Sequence, residues 1–201
     1  MATMPPIVVK IGGSLANTGR AREILGLVAR SPRRIIVVPG GGAYANAVRR
    51  DQAAQGFPDT QAHRLAILSM HRMATDFQSL QPRLRPVTSI VDITGVLSKG
   101  HKALWLPWPM VEHQVSIPQD WSMTSDGLAA WLAGQIPAAE VALVKSCVVP
   151  AQASLFDLAE AGITDTQFPA IVGQAELGWH VLGAGDDARL SGLLGIPQTQ
   201  V

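Results

Sequence analysis

Two of the four lysines in the chain end short apolar runs: Lys10 in VVKIGGSL, residues 8–15, and Lys145 in VALVKS, residues 141–146. After Lys10 come Gly12, Gly13 and Ser14. Glycines let a backbone approach an anion without a side-chain clash. The amides of the turn and of the following helix point at that anion, and an ammonium adds a full positive charge. Lys10, Gly12, Gly13 and Ser14 are therefore candidate phosphate contacts. Taken alone, the piece is also explained by a tight turn beside a lysine whose head snorkels to water.

A second piece, PGGGAYANAVRR at residues 39–50, again sets glycines between an apolar run and a helical segment. Three successive glycines cost backbone entropy that a plain connection seldom needs. Gly40, Gly41 and Gly42 join the phosphate-binding candidates, and two such loops suggest two ligands. In TSDGLAAWLA, residues 124–133, Asp126 falls in the first turn of a helix. Capping and the helix dipole suffice to explain an acid there, but it is also placed to orient lysines or hold magnesium. Burying Lys145 without a partner would be costly. Two lysines at strand ends, one acid and two glycine loops form an electrostatic cradle for a phosphoryl group in transfer, with no general base strictly required.

The elements that must position these residues alternate between strand and helix, which predicts an α/β fold with a mainly parallel central sheet. Residues 6–11 and 35–38 are the first strands. Asn17 or Thr18 is expected to cap a helix burying Ala21, Ile24, Leu25 and Val28, and residues 43–50 continue helically. Thr60 is expected to cap a helix to about Phe77, with Ala62, Leu65, Ala66, Ser69, Met73 and Phe77 on its buried face and His63, Ile67 and Met70 on an adjoining one. In the proline-rich stretch 81–119, residues 88–93 and 103–106 are predicted as strands. Residues 125–133 form a helix, 141–144 a strand, and 154–161 a helix, with a last strand near Val181.

No repeat or charged linker divides the 201 residues, so a single domain is expected, with the acceptor site mainly in 1–120 and the nucleotide site mainly in 121–201. A net charge of +1 argues against nucleic acid as an obligatory partner. One cysteine, Cys147, allows no internal disulfide, and no apolar run approaches a membrane span, so a cytoplasmic location with no membrane partner is expected. The five histidines lack paired metal-ligand spacing, so no protein metal site is expected. The five tryptophans make no basic-aromatic stripe and are expected in core or pocket walls. Gly183-Ala184-Gly185 has too few residues after it for a dinucleotide fold and is expected as a turn near nucleotide.

In this order the pieces resemble the amino acid kinase superfamily, which includes acetylglutamate, uridylate, carbamate and isopentenyl phosphate kinases. The resemblance implies a three-layer α/β/α sandwich, ATP with magnesium, in-line transfer to a small-molecule acceptor, and a homo-oligomer. Lys10 and Asp126 match the family's lysine and aspartate motifs. Gly41, Gly42, His63 and Ser125 are assigned to the acceptor. AHRLAIL at 62–68 with Met70, DWSMTSD at 120–126, LVKS at 143–146 and ITDTQFP at 163–169 are similar to the small kinases of methanofuran and methylofuran biosynthesis, which phosphorylate an aminomethylfuranmethanol phosphate to its diphosphate. Many family members carry a T-D-V-D-G-like segment where this chain has Lys145, Ser146, Cys147 and Val148, and the chain is shorter than the usual member in its carboxy-terminal half. Lys145 is therefore expected to stand in for the second catalytic lysine. Two other functions fit the same residues: a noncatalytic nucleotide- or anion-binding protein, and a kinase with another carboxylate or monophosphate acceptor.

Overall fold

Ile7–Ile11, apolar but for Lys10, and the apolar run Ile35–Pro39 are buried on both faces, as strands covered by helices on each side must be. The computed structural model describes residues 4–197. In chain order the elements begin with β1 (Ile7–Ile11), a 3-10 turn (Gly13–Thr18), α1 (Arg20–Arg30), β2 (Ile35–Pro39), α2 (Gly42–Gln55), α3 (Asp59–Leu80), β3 (Leu84–Val87) and α4 (Ile90–Ser98). They continue with β4 (Lys102–Trp105), α5 (Trp108–Val111), α6 (Ser125–Gly134), β5 (Glu140–Val144), α7 (Leu155–Glu160), α8 (Phe168–Gln174), β6 (Gly178–Leu182) and α9 (Asp187–Leu193).

The strands form one parallel sheet in the order β3-β4-β2-β1-β5-β6. On one face Val8, Val38 and Leu143 pack with α4, α6, α7 and α8. On the other, Val9, Val37 and Ala142 pack with α1 and α9. The long α3 gives Ile67 and Met70 to the first cluster and Met73, Ala74 and Phe77 to the second. This is the expected α/β/α sandwich.

The chain reverses direction across the sheet at β1, which has β2 on one side and β5 on the other. A parallel sheet opens a crevice at the carboxyl ends of strands where the order switches. The loops after β1, β2, β5 and β6 all lie along that edge.

Several local expectations are corrected. Residues 88–93 are not a strand: Ser89 accepts from the Asp92 amide at 3.1 Å and donates to its carboxylate at 2.7 Å, so the segment opens α4 and this local cap outweighs its β-branched residues. The strand lies upstream, at β3. Helix α1 starts after Gly19, whose φ of 75° only glycine adopts easily, rather than from Asn17 or Thr18. Pro58 precedes α3 in place of Thr60; of the expected buried face Ala62, Ser69, Met73 and Phe77 are buried, whereas Leu65 is exposed, and the adjoining His63, Ile67 and Met70 are buried as well. The four expected residues of α1 are its buried ones. Helices α8 and α9 are additional to the expected elements.

Candidate functional site

Side chains alternate faces along a strand. Lys10 pairs with Leu143 in the register of β1 and β5, and Lys145 lies two residues beyond Leu143. Both lysines therefore emerge on the face that carries α6, and Asp126 stands in the first turn of that helix. Lys10 Nζ is 2.7 Å from Asp126 Oδ1, and Lys145 Nζ is 2.6 Å from Oδ2. Asp126 is 3% exposed and Lys10 6%.

Burial alone would raise the Asp126 pKa, but the charges and hydrogen bonds of Lys10 and Lys145 together hold it below the usual carboxylate range. Burial and then the charge of Lys10 push the Lys145 pKa down, against the pull of Asp126. The cluster thus carries one net positive charge in a poorly solvated place, a good setting for a phosphoryl group.

The two lysines face different cavities. Lys10 lines one of about 240 Å³ together with Gly41, Gly42, His63, Trp121 and Ser125. Lys145 lines another of about 310 Å³ with Ser146 and Gly183, Ala184 and Gly185. Ser14 lines the first and Ser146 the second, and their hydroxyls meet at 2.9 Å on the seam. Asp126 therefore ties together one cation from each cavity. The first cavity includes residues up to Leu128, and the second includes Leu15, Thr18 and Arg20, so each draws on both halves of the chain.

The glycines divide by role. The amide of Gly12 donates to Val144 O at 3.0 Å and that of Gly40 to Ile11 O at 2.9 Å. Those amides extend the sheet and do not point at a phosphate, although Gly40 lines the cavity of Lys10. Gly13 and Gly42 are forced by a close crossing of the two loops: a Cβ on Gly13 would lie 2.2 Å from the Gly42 nitrogen. Gly13, Gly41 and Gly42 open the 3-10 turn and α2, where first-turn amides have no partner within the helix. They remain, with Ser14, the anion-facing candidates.

His63 is buried, and its Nδ1 is 3.4 Å from Asp120 O. Burial lowers its pKa despite Asp120, so at neutral pH the ring is an uncharged part of the wall. Both Asp126 oxygens face lysines, and no group of three His, Cys, Asp or Glu among the described residues could hold a metal. The protein residues do not build a magnesium cage.

Two contributors lay outside the sequence-based set. Arg49 falls seven residues after Gly42 on α2, the spacing that returns to the same helical face, and that spacing was the available signal. Asp165 is placed only by the tertiary fold. Its Oδ2 accepts from the Thr124 amide at 2.7 Å, the Thr124 hydroxyl at 2.9 Å and the Gly127 amide at 2.8 Å, and its Oδ1 accepts from the Phe168 amide at 3.0 Å. Thr124 makes no side-chain cap of its own, so a carboxylate 41 residues away caps the helix that carries Asp126.

An all-parallel α/β/α sandwich with a lysine-aspartate-lysine cluster on its carboxyl edge has the architecture of small phosphotransferases. The amino acid kinase family model matches residues 5–104, just under half of the chain, which is similar to that family there. The chain is 25% identical over 136 residues to the [5-(aminomethyl)furan-3-yl]methyl phosphate kinase of Methanocaldococcus jannaschii, a match spanning 67% of this chain and 62% of that relative. The uridylate kinase of Archaeoglobus fulgidus superimposes with a TM-score of 0.62 at 17% identity, covering 94% of this chain and 96% of that one. The carbamate kinase of Giardia lamblia bound to AMP-PNP gives a TM-score of 0.58 at 11% identity, covering 99% and 98%. These two similarities establish the fold.

Proposed function

We propose that the protein is an ATP-dependent kinase that transfers the γ-phosphoryl group to the phosphate of an aminomethylfuranmethanol phosphate, giving the diphosphate. The carrying observation is Asp126 held between Lys10 of one cavity and Lys145 of the other. The acceptor occupies the cavity of Lys10, and ATP with its magnesium occupies that of Lys145. The furan acceptor is suggested by the Methanocaldococcus relative, whose name specifies that substrate.

A phosphate monoester is largely ionised at neutral pH, with its second pKa near ~6, so its oxygen needs no general base. That oxygen attacks the γ-phosphorus in line. The bond from the γ-phosphorus to the β–γ bridging oxygen breaks, and its electron pair leaves on ADP. Lys10 and Lys145 neutralise charge on the group in flight from its two sides. Asp126 holds both ammoniums in place before substrate arrives, so no reorganisation is needed during transfer.

The test is ADP formation from ATP, magnesium and the furan phosphate, with the product identified by mass. Diphosphate formed by the wild type and lost in Lys10→Ala supports the reading. Turnover only with a different carboxylate or monophosphate moves the acceptor assignment. ATP binding without transfer to any acceptor in a panel replaces it with a noncatalytic nucleotide-binding function.

A further inference from the structure

The acceptor cavity contains a second cation that the lysine-aspartate cluster does not use. Arg49, on α2, lines the cavity and is exposed, and among the described residues it has no carboxylate partner. Its guanidinium lies over the ring of Trp121, with Cζ 3.7 Å from the ring centroid. Such stacking fixes the plane of the guanidinium while leaving its N–H edge free, and that edge matches the oxygens of a phosphate or carboxylate.

The platform is itself braced. Trp121 Nε1 donates to Gln52 Oε1 at 2.7 Å, and Gln52 Nε2 donates to Asp59 Oδ1 at 2.7 Å. Gln52 is three residues beyond Arg49 on the same helix, so α2 supplies both the cation and the anchor of the ring beneath it. Side chain, ring and brace form one assembly that holds a long arginine in a single place at the cavity. Among the described residues that line the cavity none is Asp or Glu, whereas Lys10 and Arg49 are both cationic. The open amides at Gly41 and Gly42 add to the same sign.

We infer that Arg49, positioned by Trp121, selects acceptors by an anionic group, the ester phosphate in the reaction proposed above. This rests on that proposal for the identity of the acceptor but not for the sign of its charge. Trp121 acts as a positioning residue through Arg49. The aminomethyl end of the furan is not read by an ion pair, so the phosphate carries the discrimination.

Calorimetric titration without ATP tests this with three probes: the furan phosphate ester, its dephosphorylated alcohol, and inorganic phosphate. A charge-assisted hydrogen bond lost from one partner corresponds to about tenfold or more in affinity. Arg49→Gln is expected to weaken the ester by at least that factor and to leave the alcohol unchanged. Arg49→Lys, which keeps the charge and loses the fork, and Trp121→Leu, which frees the arginine, are expected to lie between. Melting temperatures of the variants confirm that they fold. Loss of ester and alcohol in equal measure, or no loss of either, overturns the inference while leaving the kinase reading intact. If the ester neither binds nor turns over but inorganic phosphate binds in an Arg49-dependent way, the furan assignment falls and the role of Arg49 stands. Absence of Arg49-dependent binding by both ester and phosphate also overturns it.

Discussion

Lys145 donates to Asp126 at 2.6 Å from the end of β5, a strand lying directly beside the one that carries Lys10. The second lysine of the site thus comes from the carboxy-terminal half of the chain, brought in by strand pairing. If its charge serves the transferring phosphoryl group, Lys145→Met should lower kcat by about 10²–10³, the range seen when one preorganised donor is removed. The KM for an acceptor bound on the Lys10 side, as proposed, should change little. Steady-state kinetics with each substrate varied in turn checks this, and an unchanged kcat rejects the role.

Asp126 has a structural duty as well. Removing it leaves two mostly buried ammoniums facing each other without their shared anion. Breaking a buried pair by deleting one partner typically costs about 3–5 kcal/mol. Asp126→Ala is expected to lose stability in that range by urea denaturation, whereas the double change Lys145→Met with Asp126→Ala should lose less than the sum of the single changes. Simple additivity would mean that Lys145 and Asp126 are not coupled.

The pH behaviour follows from Lys145. Its pKa lies below the ordinary lysine value, first through burial and then through Lys10. Catalysis that needs the ammonium should fade with rising pH before the ordinary lysine range is reached. Stability moves the other way, because between the folded and unfolded pKa values the unfolded chain binds more protons, so folding is favoured as pH rises through that window. Parallel profiles of kcat and melting temperature separate the two effects. A simultaneous alkaline collapse of both would show that unfolding, rather than Lys145, sets the limit.

The sheet and its loops were legible because β1, β2 and β5 are mostly apolar runs followed by glycine or lysine. Lys10, Asp126 and Lys145 were visible as chemistry, but the geometry that joins them depends on register: Lys145 shares a face with Lys10 only because Leu143 pairs with Lys10. Gly12 and Gly40 carried the same sequence signal as Gly13 and Gly42, and nothing local says which amides the sheet will take. Residues 88–93 were misjudged because Val and Ile favour strands on average, while a Ser-to-Asp cap is decided by three atoms. Arg49 was half legible from its helical spacing. Trp121 gave no hint that it carried a guanidinium, since that stack joins α2 to a segment 69 residues beyond Gln52, its own anchor.

The loop crossing makes a contrast between two glycines. A Cβ on Gly13 would stand 2.2 Å from one backbone atom of Gly42 and 2.3 Å from another, and backbone cannot swing aside as a side-chain end can. Gly13→Ala should destabilise by at least the ~1–3 kcal/mol of overpacking and separate the two anion-facing loops, abolishing turnover. Gly26→Ala in α1 meets only the end of the Arg30 side chain at 3.4 Å and should stabilise by about 0.8–1 kcal/mol through helix propensity. Thermal melts of the two variants should shift in opposite directions. Equal shifts would show that the crossing is looser than described.

Asp165 is the remaining test of how the site is held. It accepts from three donors around the start of α6 and one at the start of α8, and it is half-buried. Burial, and then the charge of Asp126, raise its pKa. Losing an ordinary N-terminal cap costs about 0.5–2 kcal/mol, and four orphaned donors place Asp165→Ala at or above the upper end. Its negative charge also raises the pKa of Lys145, so removing it should bring the alkaline limb of kcat to still lower pH. Asp165→Asn, which keeps the shape and can still accept some of these bonds, should recover much of the stability but not the pH shift. A pH profile identical to wild type in both variants would reduce Asp165 to a cap; a common downward displacement, with stability recovered only in the asparagine variant, would show that it sets both the position of Asp126 and the charge state of the lysine beside it.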